Sequence, residues 1–160
     1  MQDSIRSSAA AQLHQLCVLV PQDKGRSSLL KPLLKLLSDQ AAAVVLKLMH
    51  GLPTILARLP LSGASLTDFC NALTSAELRF TGNWRLVQAL AASFEALGAA
   101  LGPDAAGDVL IPIAFKYLAS GPAAAKQEAA AGLVLLFRRL RREKQRTEVC
   151  KLHRLCTCPA

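Results

Sequence analysis

Aromatic residues are scarce in this chain: they make up 4% of 160 residues, with one Trp and one Tyr. A core without large rings must be filled by Leu, Ala and Val, which supply most of the 52% hydrophobic content. Leu and Ala are strong helix formers, and the β-favouring Tyr, Trp and Thr are few. The balance therefore predicts an all-α protein. Acids are also few, eleven in all, and scattered. No paired-carboxylate motif, Gly-rich phosphate loop or Ser/His/Asp arrangement stands out, so the sequence offers no catalytic chemistry, cofactor site or small-molecule substrate site. No stretch reads as the roughly 18 consecutive apolar residues expected of a membrane span. The N-terminal MQDSIRSS lacks the apolar core of a signal peptide. The five cysteines, Cys17, Cys70, Cys150, Cys156 and Cys158, are odd in number, and the first two fall inside helical patterns. Free thiols in a reducing, cytoplasmic setting are the expectation.

The net charge is +8, and it is uneven. From Arg138 to Ala160 eight basic residues face two acids, giving +6; the rest of the chain carries 11 bases and 9 acids. A basic end on a nearly neutral body differs from the continuous basic stripe of a nucleic-acid-binding surface. Length suffices for one domain with a substantial core.

Helical periodicity recurs along the chain. Ala9, Leu13, Leu16 and Val20 form one predicted face; Val45, Leu48, Leu52, Leu56 and Leu59 a second. Val87, Leu90, Ala91, Phe94, Leu97 and Leu101 form a third, and Ala129, Leu133, Leu136 and Leu140 a fourth. Short phrases at the helix starts set the period: Ile5-Arg6, Val44-Val45, Trp84-Arg85 and Ala125-Lys126 follow one another at 39, 40 and 41 residues. Independently, Lys31-Pro32-Leu33-Leu34 parallels Ile111-Pro112-Ile113-Ala114 two periods later. A period near 40 with two helices per unit is that of HEAT repeats, in which helix pairs stack because one pair cannot bury its apolar face alone. The predicted fold is an all-α, HEAT-type α-solenoid of stacked antiparallel helix pairs over residues 1–155. It comprises a partial unit at 3–20, pairs at 28–58, 65–100 and 104–140, a partial unit at 143–155, and a disordered tail at 156–160. Within the pairs the helices are expected at 28–38 and 41–58, 65–79 and 83–100, and 104–119 and 122–140. Turn signals at Pro60-Leu61-Ser62-Gly63, Gly102-Pro103-Asp104 and Gly121-Pro122 fit, and Asp39, Thr81 or Asn83, and Ser120 stand where caps are wanted.

The stretches Asn83-Trp84-Arg85-Leu86 to Gly102-Pro103-Asp104 and Val109-Leu110-Ile111-Pro112 are similar to HEAT units of type-2A phosphatase scaffold subunits. Gln127-Glu128-Ala129-Ala130, Leu136-Phe137-Arg138-Arg139 and Arg142-Glu143-Lys144-Gln145-Arg146-Thr147-Glu148-Val149 resemble the regulatory subunits of type-2A-like phosphatases, the phosphatase-4 group among them. The resemblance covers about 83–149. It implies a non-catalytic scaffold that binds a serine/threonine protein phosphatase catalytic subunit. A HEAT adaptor for another protein cargo, in transport or on the cytoskeleton, stays open.

In such scaffolds the ridge of intra-repeat turns carries the catalytic subunit. The matching turns, 38–41, 80–83 and 120–123, bring Asp39, Gln40, Gly82, Asn83, Trp84, Arg85 and Gly121 forward as candidate contacts. Trp84, aligned with Val44, is expected mainly to face the core, with an edge on the ridge as the alternative. Arg138, Arg139 and Arg142 end a helix, where bases suit the negative terminus. A solvated face competes there with docking of an acidic partner. Cys150, His153, Cys156 and Cys158 would supply four ligands for zinc, but C-x2-H-x2-C-x-C is a weak signature, and free thiols in a tail are preferred to a metal site. His14 and His50 read as helix-surface residues.

Overall fold

The computed structural model describes residues 2–21, 26–59 and 61–140. Among them it is all-helical, with no strand. The helices are α1 (Asp3–Leu19), α2 (Arg26–Leu37), α3 (Ala42–Leu56), α4 (Ala64–Arg79), α5 (Trp84–Ala92), α6 (Phe94–Ala105), α7 (Ile111–Ser120) and α8 (Ala123–Arg139), with a π-helical turn at Ala106–Leu110 between α6 and α7. The expected partial unit at 143–155 and tail at 156–160 lie outside the described residues.

One row of packing runs α1 against α3, α3 against α5 and α6, and these against α8. On a second side α2 packs against α4. The core between is aliphatic: Leu33, Leu48, Leu52, Leu73, Leu97 and Leu110 are fully buried, with Phe69 and Phe94 as the large rings. Phe94 stacks on Tyr117 with centroids 6.2 Å apart.

The second, third and fourth predicted faces are buried in full. The first is not. In α1 the buried residues are Ala10, Leu13 and Cys17, while Ala9 is exposed and Leu16 is 48% exposed. Apolar residues cover about half of this helix, so 3.6-residue spacing alone admits two faces. His14 also departs from expectation: it lies against Gly51 of α3, with Nδ1 buried and unpartnered.

Two helices expected to be continuous are interrupted. Between α5 and α6, Ser93 (φ −88°, ψ −2°) tightens the turn: its N–H donates to the Leu90 carbonyl three residues back at 3.0 Å, and its hydroxyl donates to the Ala89 carbonyl at 2.9 Å. Such back-bonding bends helices. Pro112 lacks the N–H that the Asp108 carbonyl would receive, and its ring crowds that carbonyl. The wider π turn just before it relieves the crowding. Gly102 (φ 75°, ψ 171°) turns the chain sharply ahead of Pro103, a backbone region that suits glycine. The run Phe94–Ser120 is long and apolar enough to cross a membrane by composition, contrary to the sequence expectation. The Gly102 turn and the π-helical turn fall inside it, and Leu97, Leu101, Leu110, Ile111 and Ala114 are buried within the protein, so core packing accounts for its composition.

Candidate functional site

Cross-helix bonds gather several helix ends along one edge. Arg6, in the first turn of α1, donates from Nε to Asp39 Oδ2 at 2.6 Å and from Nη2 to Asp39 Oδ1 at 3.2 Å. Arg79, at the end of α4, donates from Nη1 to the Asp39 carbonyl at 2.8 Å. Two residues earlier in α4, the Glu77 carboxylate accepts from Lys116 Nζ of α7 at 2.9 and 3.2 Å. The turns at 38–41, 80–83 and 120–123 directly follow α2, α4 and α7, and the bonds tie the ends of these helices and the start of α1 to one another.

Asp39 belongs to the interior of this edge. Its carboxylate is held by Arg6, and Oδ1 also accepts the Ala41 backbone N–H at 2.9 Å, which satisfies a free donor as α3 begins. The side chain is only 9% exposed. The Arg6 hydrogen bond, then the Ala41 N–H, hold the Asp39 carboxyl below the usual carboxylate range; the same bond raises the Arg6 guanidinium. Gln40 beside it is exposed and borders an open groove of about 680 Å³ shared with Arg6, Pro32, Lys35 and Leu36.

The turn at 80–83 faces the other way chemically. The Asn83 side chain accepts from the Leu86 backbone N–H at 3.3 Å and caps α5, as expected. Trp84, expected in the core, is instead 51% exposed. The reason is register. Trp84 is the first residue of α5, whereas Val44 is the third of α3; the buried third residue of α5 is Leu86. Matched by helix position, Ile5, Val44, Leu86 and Ala125 step by 39, 42 and 39 residues. The Arg85 guanidinium lies over the Trp84 ring at 4.9 Å, a favourable arrangement for a cation on an indole face. On the other side of the turn Arg79 lies over Phe80 at 5.5 Å. The sequence Arg79-Phe80-Thr81-Gly82-Asn83-Trp84-Arg85 thus sets an arginine on an aromatic at each end of one turn. Arg85 has no acid partner among the described ion pairs.

Gly121 has a structural duty. A Cβ there would meet the backbone carbonyl of Tyr117, which accepts the Gly121 N–H at 2.8 Å. Ser120, expected as a cap, bonds back to the Lys116 carbonyl instead, and α8 begins after Pro122, which offers no side-chain cap. Gly82 is exposed with open space around it. Arg138 and Arg139 are exposed in the last turn of α8, about 25 Å from Gly121 along a 17-residue helix. They do not join the turn edge. Arg142 and the Cys/His cluster at 150–158 lie outside the described residues.

Sequence reasoning missed the buried Glu77, whose side chain is 3% exposed, and its bond to Lys116. The Tyr117 hydroxyl bonds the same carboxylate; burial first, then the Glu77 charge, push Tyr117 well above its ordinary range. A signal existed: Glu77 and Lys116 are 39 residues apart and Asp39 and Arg79 are 40 apart, each about one period. The cavity bordered by Glu77, Tyr117, Phe80 and Leu90 measures about 10 Å³, room for one water at most. Cys17 is buried; Cys70 is a half-buried free thiol, and burial pushes it up and keeps it protonated. No group of three or more His, Cys, Asp or Glu fit to hold a metal occurs among the described residues. Compared with protein-family models, with curated proteins and with solved structures, the chain matches none.

Proposed function

We propose that this chain is a HEAT-type solenoid segment that acts in the cytoplasm as a non-catalytic scaffold. Its partner is the catalytic subunit of a type-2A-like serine/threonine phosphatase, and the contact is the edge of intra-repeat turns. The reading involves no nucleic acid, membrane, small-molecule substrate or cofactor. The single observation that carries it is the outward Trp84–Arg85 pair. A half-exposed indole capped by a guanidinium without an acid partner among the described ion pairs has the composition of an interface anchor, since Trp and Arg dominate binding hot spots. An incoming carboxylate can engage the guanidinium through two parallel bonds while an apolar group covers the ring. The repeat spacing and the packing order of the helices support the solenoid. The resemblance of residues 83–149 to phosphatase regulatory subunits supports the choice of partner.

The test is direct binding of the purified chain to a purified type-2A-like catalytic subunit, alongside affinity capture and mass spectrometry. The reading expects the catalytic subunit in the captured material and binding that Arg85→Ala weakens without loss of folding. Capture of transport or cytoskeletal cargo in its place, with no direct phosphatase binding, would replace it with an adaptor role.

A further inference from the structure

The first turns of α1 and the second half of α2 border the open groove of about 680 Å³ that ends at the 38–41 turn. Its floor is apolar: Ala9 of α1 and Pro32 of α2 are exposed, and Leu36 is half-buried. Pro32 and Leu36 are four residues apart and share one face of α2. The volume matches that of pockets for drug-sized ligands, which is room for a few residues of chain rather than a domain.

Charge decides what kind of segment fits. The acids at this end of the protein are Asp3 and Asp39, and both are already joined to Arg6, at 2.8 and 2.6 Å. Arg79 brings a second guanidinium to Asp39 through the backbone carbonyl. Helix α2 carries Lys31 and Lys35 and no acid. The four bases Arg6, Lys31, Lys35 and Arg79 against the two acids Asp3 and Asp39 leave an excess of +2. Lys35 lines the groove, is exposed, and has no acid partner among the described ion pairs. Lys31, also exposed, stands four residues before it on the same side of the helix. A lysine stem can lie along apolar surface and carry its ammonium to the rim. The exposed Ser38 hydroxyl and Gln40 amide add neutral donors at the turn end. A basic segment would meet like charge here. A purely polar acidic one would leave Ala9, Pro32 and Leu36 uncovered. Carboxylates beside an aliphatic side chain answer both the rim and the floor.

We propose that the groove between α1 and α2 docks a short acidic segment of a partner protein, with an aliphatic residue seated on Ala9, Pro32 and Leu36 and flanking carboxylates paired with Lys35 and Lys31. Exposed ion pairs are individually weak and screened by salt, so the apolar floor retains the segment and the lysines select its charge. The site does not involve Trp84 or Arg85, and its test needs no phosphatase, so it stands or falls apart from that reading.

The experiment is fluorescence anisotropy of labelled, end-capped peptides titrated with the full chain, with circular dichroism on every variant. The probes are Asp-Glu-Leu-Asp-Glu, the same peptide with Ser in place of Leu, and the basic Lys-Arg-Leu-Lys-Arg. The acidic Leu peptide is expected to bind, the Ser peptide to bind at least about fivefold more weakly, and the basic peptide not to bind. Lys35→Glu reverses the rim charge, and Ala9→Gln fills the floor with a neutral side chain that suits a helix. Each should weaken the acidic Leu peptide by about fivefold or more with the helix signal unchanged, while Lys35→Arg should stay within about twofold. Lys47→Glu makes the same charge change on exposed surface of α3, away from the groove, and should also stay within about twofold. Should Lys35→Glu loosen the end of α2, Ala9→Gln on α1 carries the test alone. No binding of the acidic Leu peptide, equal binding of the Ser peptide, or equal losses in Lys35→Glu and Lys47→Glu would overturn the proposal. Displacement of the peptide by inorganic phosphate, with no dependence on its Leu, would also overturn it and make the groove a simple anion site.

Discussion

At residues 38–41 the turn carboxylate is consumed from within: Arg6, the Ala41 N–H and the nearby Arg79 bond fix Asp39 and its backbone. At residues 80–83, the turn after α4, Asn83 alone serves the helix start, and the next two side chains stand outside. A place in a turn after a helix therefore does not by itself assign a role. An acid placed between two arginines of neighbouring helices becomes a strut, because leaving it unpaired at 9% exposure would be costly. An aromatic at the first position of its helix is carried beyond the apolar face and remains available.

Changes at the interior should be felt as stability, and changes at the outward turn should not. The largest effect is expected at Leu52, which is fully buried in α3. Leu52→Ala should cost ~2–5 kcal/mol in chemical denaturation. Exposed Lys47→Ala on the same helix should stay within about 0.5 kcal/mol. Equal costs would mean that the buried face is assigned wrongly.

Next come the glycines of the turns after α4 and α7. Gly121→Ala drives a methyl into the Tyr117 carbonyl and should cost ~1–3 kcal/mol, as overpacking does. Gly82→Ala meets nothing and should change the melting temperature little. Similar losses at both positions would erase the contrast between the turns.

A smaller, pH-dependent effect should mark the strut. The Asp39 carboxyl is held below its unfolded value, so its stabilisation is present above the unfolded pKa of about 3.9 and is lost as pH falls through the lower, folded value. Asp39→Asn should lower the melting temperature at pH 7 and narrow its gap from wild type below about pH 4. A gap that stays constant across the acid range would remove the charge from the account.

Much of the architecture was legible in the sequence because a single aliphatic face recurs in α3, in α5 with α6, and in α8, and 3.6-residue spacing reads such faces well. It failed on α1, where two stripes share one helix and their blend, Ala9-Leu13-Leu16-Val20, is neither. The break at Ser93 and the π turn before Pro112 were missed because they are local concessions in helical composition. The candidate turns were legible as turns, since Gly and Asn mark them. Which turn residues stay free was not, because the partners of Asp39 come from α1 and α4, far along the chain. Trp84 was misplaced by a two-residue slip in the repeat phrase, enough to carry a side chain across the helix.

The smallest expected effect on stability, and the most direct test of the scaffold reading, belongs to Trp84 and Arg85. Binding of a purified type-2A-like catalytic subunit should be measured by titration calorimetry for wild type, Arg85→Ala and Trp84→Ala, with the melting temperature of each. The account predicts melting temperatures close to wild type and affinities weakened by about tenfold or more, the loss of one anchor of ~1.4 kcal/mol or above. Unchanged affinity per folded molecule in both variants, or an affinity loss that tracks lost stability, would contradict it.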